Sequence, residues 1–215
     1  MISELLGAQV RGMMLRVGAA LARRGFSANL LTVLGLALNV LVAVVIASGH
    51  LVAGGVLLLV ASAFDMLDGA VARAAGSASS FGGFLDSTLD RYSEVVVYLG
   101  LLVYFLDRPD ARAGAILTFL ATIGALLISY ARARAEAAGF TAAVGLVARP
   151  ERVLILAICL LIGRPTIAVW ILAITTHLTA LTRIVHVWKS SKAAPAGPTA
   201  PKARPAAASS GPDGG

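Results

Sequence analysis

The chain has 215 residues, of which 58% are hydrophobic and only 13% charged, and its mean hydropathy is +0.86. Such values exclude a soluble globular domain and a disordered polyelectrolyte, and they place the chain among all-α polytopic membrane proteins. The formal charge of +7 comes from 18 Lys and Arg against 11 Asp and Glu; in a membrane chain this excess reports topology and contact with anionic lipid rather than nucleic-acid binding.

Residues 1–25 carry apolar side chains at intervals of three and four, with Arg11, Arg16, Arg23 and Arg24 between them. This pattern predicts an N-terminal amphipathic juxtamembrane helix lying at the cytoplasmic interface. A cleaved signal peptide is not expected, because the basic residues run through the segment and no small-residue cleavage site follows an uninterrupted apolar core. Six apolar spans follow, at about 30–47, 51–72, 86–106, 113–130, 149–163 and 166–188, so that 26–188 reads as a single membrane domain with six transmembrane helices. The connections at Gly49-His50, Asp107 to Arg112 and Gly163 to Pro165 hold only Arg108, Arg112 and Arg164 among the basic residues. The positive-inside rule then predicts a multi-pass protein of the cell membrane with both termini in the cytoplasm. Residues 189–215, rich in Pro, Ala, Gly and Ser, predict a disordered cytoplasmic tail. The single cysteine, Cys159, lies in an apolar run and reads as a packing thiol.

The stretch 65–90, DMLDGAVARAAGSASSFGGFLDSTLD, is not written like a passive anchor. Asp65, Asp68, Ala72 and Arg73 fall at i, i+3, i+7 and i+8, and Gly82, Asp86 and Asp90 at i, i+4 and i+8, so each set shares one helix face. The small, polar linker 74–80 predicts a short turn between antiparallel helices, which lets the two acidic faces meet. Four carboxylates held together repel one another unless a cation sits among them, and all-oxygen ligation suits Mg²⁺ or Mn²⁺ rather than zinc. Glycine at 69 and 82 leaves room for a ligand or a backbone to come close. At 1.5 Å per residue a helix rises about 21 Å from Leu51 to Asp65 and about 24 Å from Asp90 to Leu106, against a hydrocarbon core of roughly 30 Å. The carboxylates are therefore expected several ångströms inside the membrane boundary, facing the cytoplasm. A charge in mid-helix costs ~2.5–3.5 kcal/mol on insertion scales, which points to a compensating function. A salt-bridge network with Arg73 and Arg91 alone would leave an excess of acid.

The eight residues Asp65, Asp68, Gly69, Ala72, Arg73, Gly82, Asp86 and Asp90 satisfy D-x2-D-G-x2-A-R-x8-G-x3-D-x3-D without exception. On them the chain resembles the CDP-alcohol phosphatidyltransferases, integral-membrane enzymes that move a phosphatidyl group from a CDP-lipid to an alcohol. The resemblance implies that Asp65, Asp68 and Asp86 hold two divalent cations, Mg²⁺ or Mn²⁺, with Asp90 contributing to one of them and acting as general base. It further implies contacts to the CDP-lipid from Asn29, Leu30, Leu31 and Thr32, through the backbone at the two leucines, and from Gly69, Arg73 and Ser79. Without it, Ser27 to Thr32 would read as an ordinary helix cap. A homodimer is also implied.

Two further segments, YARARAE at 130–136 and RPERV at 149–153, carry most of the remaining basic side chains near the membrane. The purely apolar part of the fifth span, 153–163, has 11 residues and is too short for a bilayer. Arg149, Glu151 and Arg152 are therefore expected inside the body of the protein, where Pro150 can open the helix. Arg132, Arg134, Arg152 and Arg183 could line one cationic pocket suited to a phosphate, or they could serve only to set topology. Tyr130, Arg134, Ala135 and Glu136, together with Arg149-Pro150-Glu151-Arg152, resemble the corresponding residues of actinobacterial phosphatidylinositol phosphate synthases. That resemblance implies CDP-diacylglycerol and inositol phosphate as substrates, with membrane lipid around them. A phosphatidylglycerophosphate synthase would need a similar pocket for glycerol phosphate. A divalent-cation transporter would have no use for Gly69, Ala72 and Arg73.

Overall fold

The computed structural model describes Gly12 and residues 16–74, 79–109 and 111–193. Every regular element among them is helical: α1 over 16–23, α2 Ala28–Ala47, α3 Leu51–Ala74, α4 Ser80–Leu106, α5 Ala111–Ala137, α6 Arg149–Leu161 and α7 Pro165–Ala193. Local chemistry explains the starts. Ser27 Oγ accepts from the Leu30 N–H at 3.2 Å and opens α2, and Ser79 Oγ accepts from the Gly82 N–H at 3.0 Å and opens α4. Pro150 stands in the first turn of α6, and the Glu151 carboxylate reaches back to accept from the Ala148 N–H at 2.9 Å. α5 and α6 stop at Gly139 and Gly163, whose φ of 81° and 68° a side-chain-bearing residue seldom adopts.

Four helices, α2, α3, α5 and α7, are long and apolar enough to cross a membrane. The protein is therefore a membrane protein. Two helices expected as spans fall outside that set, α4 with its acidic first half and α6 with only 13 residues. The helices also outrun the apolar stretches that announce them. α4 begins at Ser80, α5 continues through the basic run to Ala137, and α7 continues to Ala193, so 189–193 are helix rather than tail. Hydropathy marks only the lipid-facing length of a helix, whereas hydrogen bonding carries the same helix into polar surroundings. Of the expected N-terminal amphipathic helix, 1–11 and 13–15 lie outside the described residues, as does the tail from 194 onward. The part described, 16–23, leans on α3: a Cβ on Gly18 would lie 2.8 Å from Ala70.

The packing pairs are α2 with α4, α4 with α5, α5 with α7, α7 with α6, α6 with α3 and α3 with α2, so six helices close a ring. The expected turn at 75–78 lies outside the described residues; α2 lies between α3 and α4 along the ring, yet their acidic faces meet as expected, with Asp68 and Asp86 lining one cavity. The physical reason is the shape of α2 and its neighbours. A Cβ on Gly100 of α4 would lie 2.6 Å from Ala43 Cα, and one on Gly54 of α3 would lie 2.6 Å from Ile46 Cγ1, so small residues seat both helices against α2.

The core fills one end of the ring. It is built from Ile46, Leu58, Leu101, Phe105, Leu160 and Leu172 with their neighbours, all near the short connections after α2, α4 and α6. Buried Cys159 packs there, as expected of a free thiol. Thr118 and Thr176 give their hydroxyl protons to the carbonyls of Gly114 and Leu172, each at 2.7 Å, and so present a mostly apolar surface. The opposite end of the ring holds the four aspartates and most of the described basic side chains, Arg108, Arg112 and Arg164 excepted.

Adding one methyl at Gly100 should test the close approach of α2 and α4. Gly100→Ala is expected to lower thermal stability in detergent by ~1–3 kcal/mol, as overpacking does. Gly83→Ala, where a Cβ meets nothing within 4 Å, should leave stability unchanged or raise it slightly. Equal melting temperatures for the two variants would count against the tight crossing.

Candidate active site

The polar end is assembled from helix ends. α3 brings Asp65 and Asp68 in its last turns, α4 brings Asp86 and Asp90 in its first, and α2 places Asn29, Thr32 and Gly35 between them. Gly35 leaves space that a side chain would take, since a Cβ there would lie 2.6 Å from Asp65 Oδ1. Asp68 is 9% exposed. Its Oδ2 lies 3.0 Å from Thr32 Oγ1, its Oδ1 accepts from the Gly69 N–H, and Thr32 Oγ1 is also 3.1 Å from the Ala28 carbonyl. The single hydroxyl proton of Thr32 serves one of these acceptors at a time.

A cavity of about 220 Å³ opens where α2, α3 and α4 meet, lined by Asn29, Thr32, Gly69, Arg73, Ser79 and Asp86 among others. Five of the seven residues expected to touch the CDP-lipid thus share one wall, with Asp68 beside them. Leu30 and Leu31 do not line it. Leu30 is 45% exposed, and Leu31 is buried at 3%. Gly82 keeps this cavity open, because a Cβ there would stand 3.1 Å from Ser79 Oγ and 3.4 Å from Asn29 Oδ1.

A second cavity, of about 160 Å³, lies on the other side of Asp90, between α4, α5, α6 and α7. Arg132, Arg149, Arg152 and Arg183 line it together with Asp90 and Glu94. Three of the four arginines expected to converge do so. Arg134 does not, being exposed on α5 two residues beyond Arg132, which places it on a different helix face.

Each of these arginines is already engaged. Arg152, 3% exposed, donates from Nε and one Nη to the two oxygens of Glu94 at 2.6 and 2.7 Å. Arg183 donates to the carbonyls of Ile128 at 2.6 Å and Val144 at 2.9 Å, tying α7 to α5 and to the segment before α6. Arg132 pairs with Glu136 at 2.8 Å on an exposed surface, where an ion pair adds little stability. Arg149 bridges two helices, donating to Asp65 Oδ2 at 2.8 Å and Asp90 Oδ1 at 2.7 Å.

Glu94, Arg149, Arg91 and Ser129 also line the second cavity, and their places in it had not been expected. Glu94 carried a usable signal, since Asp86, Asp90 and Glu94 repeat at i, i+4 and i+8 on one helix face. Arg149 was expected inside the body of the protein, but its pairing with Asp65 and Asp90 was not, because those partners lie 84 and 59 positions away in sequence.

A divalent cation requires several oxygen ligands converging on one point. Among the described residues no three His, Cys, Asp or Glu side chains converge as ligands of one ion, and the Arg149 guanidinium stands between Asp65 and Asp90. The donor chemistry fits a hard divalent ion nonetheless, because every candidate is a carboxylate and two of them already hold one cation between them.

The ring of helices thus carries a carboxylate cluster and two polar cavities at one end. The family model for CDP-alcohol phosphatidyltransferase matches residues 26–182, and the chain belongs to that family. It is 38% identical over 175 residues to the archaetidylinositol phosphate synthase of Pyrococcus horikoshii, a match covering 81% of this chain and 90% of that one. It is 40% identical over 172 residues to the phosphatidylinositol phosphate synthase of Corynebacterium glutamicum, covering 75% and 78%. Among solved structures it is similar to the phosphatidylinositol phosphate synthase of Mycobacterium tuberculosis with CDP-DAG bound, at TM-score 0.77, 32% identity and coverage of 81% and 93%. The same enzyme in complex with manganese and citrate gives TM-score 0.76, with 32% identity and coverage of 81% and 88%.

The buried pair of Arg152 and Glu94 changes what mutation of Arg152 reports. Removing either partner leaves an unpaired charge inside the protein, at a cost of about 3–5 kcal/mol. Arg152→Gln and Glu94→Gln should therefore each lower the melting temperature in detergent. The double variant should lose clearly less than the sum of the two, a coupling that a double-mutant cycle measures. Additive losses would mean that the two side chains do not act as a pair.

Proposed function

We propose that the chain catalyses phosphatidyl transfer from CDP-diacylglycerol to inositol phosphate, giving phosphatidylinositol phosphate and CMP. The observation that carries this reading is the division of α4 between the two cavities. Asp86 lines the cavity with Asn29, Arg73 and Ser79, and Asp90, one turn later, lines the cavity with the arginines. A CDP moiety in the first and an acceptor phosphate in the second would bring donor phosphorus and acceptor hydroxyl together beside Asp90.

Asp65, Asp68 and Asp86 are the proposed ligands of two divalent ions, with Asp90 shared. Such ions, when bound, neutralise the diphosphate and stabilise the departing CMP. The remaining work falls to the chain. Thr32 and the Gly69 N–H orient Asp68, Arg73 offsets phosphate charge in the nucleotide cavity, and Arg132, Arg152 and Arg183 supply the positive field for the acceptor phosphate. Asp90 takes the proton from the acceptor hydroxyl as that oxygen attacks the lipid-side phosphorus.

The acceptor is supported by the relatives' names, since the archaeal and bacterial synthases alike make an inositol phosphate lipid. They differ in the lipid carried, and a diacylglycerol donor is supported by the bacterial matches and by the CDP-DAG complex of the mycobacterial enzyme.

The topology proposed is six spans, with α4 and α6 completing the four apolar ones, inside one domain of about 26–188. The described basic residues concentrate at the acidic end of the ring, which supports a cytoplasmic active site in the cell membrane, with α1 at that interface. A homodimer completes the proposal.

Purified protein given CDP-diacylglycerol, Mn²⁺ and labelled inositol phosphate should release CMP and form labelled lipid, whereas labelled free inositol should not be incorporated. Asp90→Asn should abolish turnover and keep CDP-diacylglycerol binding. Faster labelling from glycerol 3-phosphate would transfer the reading to a phosphatidylglycerophosphate synthase, and full turnover in Asp90→Asn would place the base elsewhere.

A further inference from the structure

We infer that Arg149 is an exchangeable internal cation: it holds Asp65 and Asp90 until a divalent ion takes their oxygens, and it then turns to bind the phosphate of the acceptor. The inference rests on the metal and acceptor roles proposed above and deepens them.

Its basis is a contrast among the arginines of the second cavity. Arg152, Arg183 and Arg132 are paired with Glu94, with backbone carbonyls and with Glu136, groups outside the cluster of four aspartates. Arg91, the fifth arginine of the cavity, donates to the Ser87 carbonyl and only approaches Asp90 Oδ2, at 4.0 Å. Arg149 alone of the five donates hydrogen bonds into that cluster, to Asp65 Oδ2 at 2.8 Å and Asp90 Oδ1 at 2.7 Å. A hard divalent ion approaches carboxylate oxygen to about 2.0–2.1 Å and carries twice the charge. An ion seated on Asp65 Oδ2 and Asp90 Oδ1 takes the two oxygens that now accept from Arg149, and at that distance it leaves no room for the guanidinium. When the ion enters, Arg149 must leave.

Its destination is also visible. Arg149 is the first residue of α6, its side chain is 30% exposed, and it already lines the cavity that holds Arg132, Arg152 and Arg183. A phosphate there would accept the two N–H groups released by the carboxylates. Metal loading and acceptor binding are then linked, each strengthening the other by the same factor. The order of events follows: without metal the cavity lacks one of its cations, so the acceptor binds well only to an enzyme whose carboxylates are already occupied.

The test uses full-length protein in detergent and two calorimetric titrations that do not depend on turnover. Mn²⁺ alone, with no acceptor, should bind Arg149→Gln at least about tenfold more tightly than wild type, because no guanidinium has to be displaced. Inositol phosphate should bind wild type and Arg149→Gln equally without Mn²⁺. At saturating Mn²⁺ it should bind Arg149→Gln roughly ten- to hundredfold more weakly than wild type, the loss of a charge-assisted contact. A fixed clamp predicts instead the same acceptor defect with and without Mn²⁺, and that result would overturn the inference. So would unchanged or weaker Mn²⁺ binding by the variant. If Arg149→Gln does not fold, Arg149→Lys, whose single ammonium spans the two carboxylates less well, should still bind Mn²⁺ more tightly than wild type; no gain would also overturn it. Failure of wild type to bind Mn²⁺ at all would bring down the carboxylate site itself, a result distinguishable from equal binding by the two proteins.

Discussion

Four carboxylates gathered at the end of an apolar helix ring need positive charge and hydrogen-bond donors within reach, and much of the polar end is arranged around that need. Asp65 and Asp90 share a guanidinium, and Asp68 has a backbone N–H and a threonine hydroxyl. Among the described residues no buried side-chain nitrogen or oxygen is left without a partner. In a membrane protein an unmet polar atom is costly because no solvent can rescue it. The acids are thus held close to one another by neighbours that donate to them.

The two ends of the ring divide the labour. The apolar end, around Leu101, Phe105, Leu160 and Leu172, is packed through small residues and self-satisfied threonines. Helix association within lipid draws on such contacts, since the tails are as apolar as leucine. That rigid plug fixes the directions in which α3, α4 and α6 emerge at the other end. The polar groups there are mounted on helix ends rather than on loops, which suits chemistry that depends on position. Glu94 extends the acidic face of α4 to a third turn and serves a different purpose from Asp86 and Asp90: it holds buried Arg152 in place.

The arginines show how one residue type can tie helices together and line a cavity at once. Arg183 ties three parts of the chain through backbone carbonyls and still borders the basic cavity. Its planar fork of donors makes that double use feasible, which a lysine ammonium could not match. Arg134, with the same charge and only two positions from Arg132, has no part in the cavity because helical periodicity turns it away.

The sequence by itself determined the class of molecule, the acidic motif and most of the residues that line the cavity between α2, α3 and α4. Hydropathy and i, i+3, i+4 spacing act within a single helix, so they are readable along the chain. Asp65 and Asp68, Asp86 and Asp90, and the cap at Ser27 were legible for that reason. The extension of α5 and α7 past their apolar runs was not, since a helix in polar surroundings leaves no hydropathy signal. Only the tertiary structure decided that α2 separates α3 from α4, that Glu94 holds Arg152, and that Arg149 spans Asp65 and Asp90. Those facts depend on which helices are neighbours in the ring. Neighbours are chosen by close packing at positions such as Gly100 against Ala43, a property of two surfaces together that neither stretch of sequence displays alone.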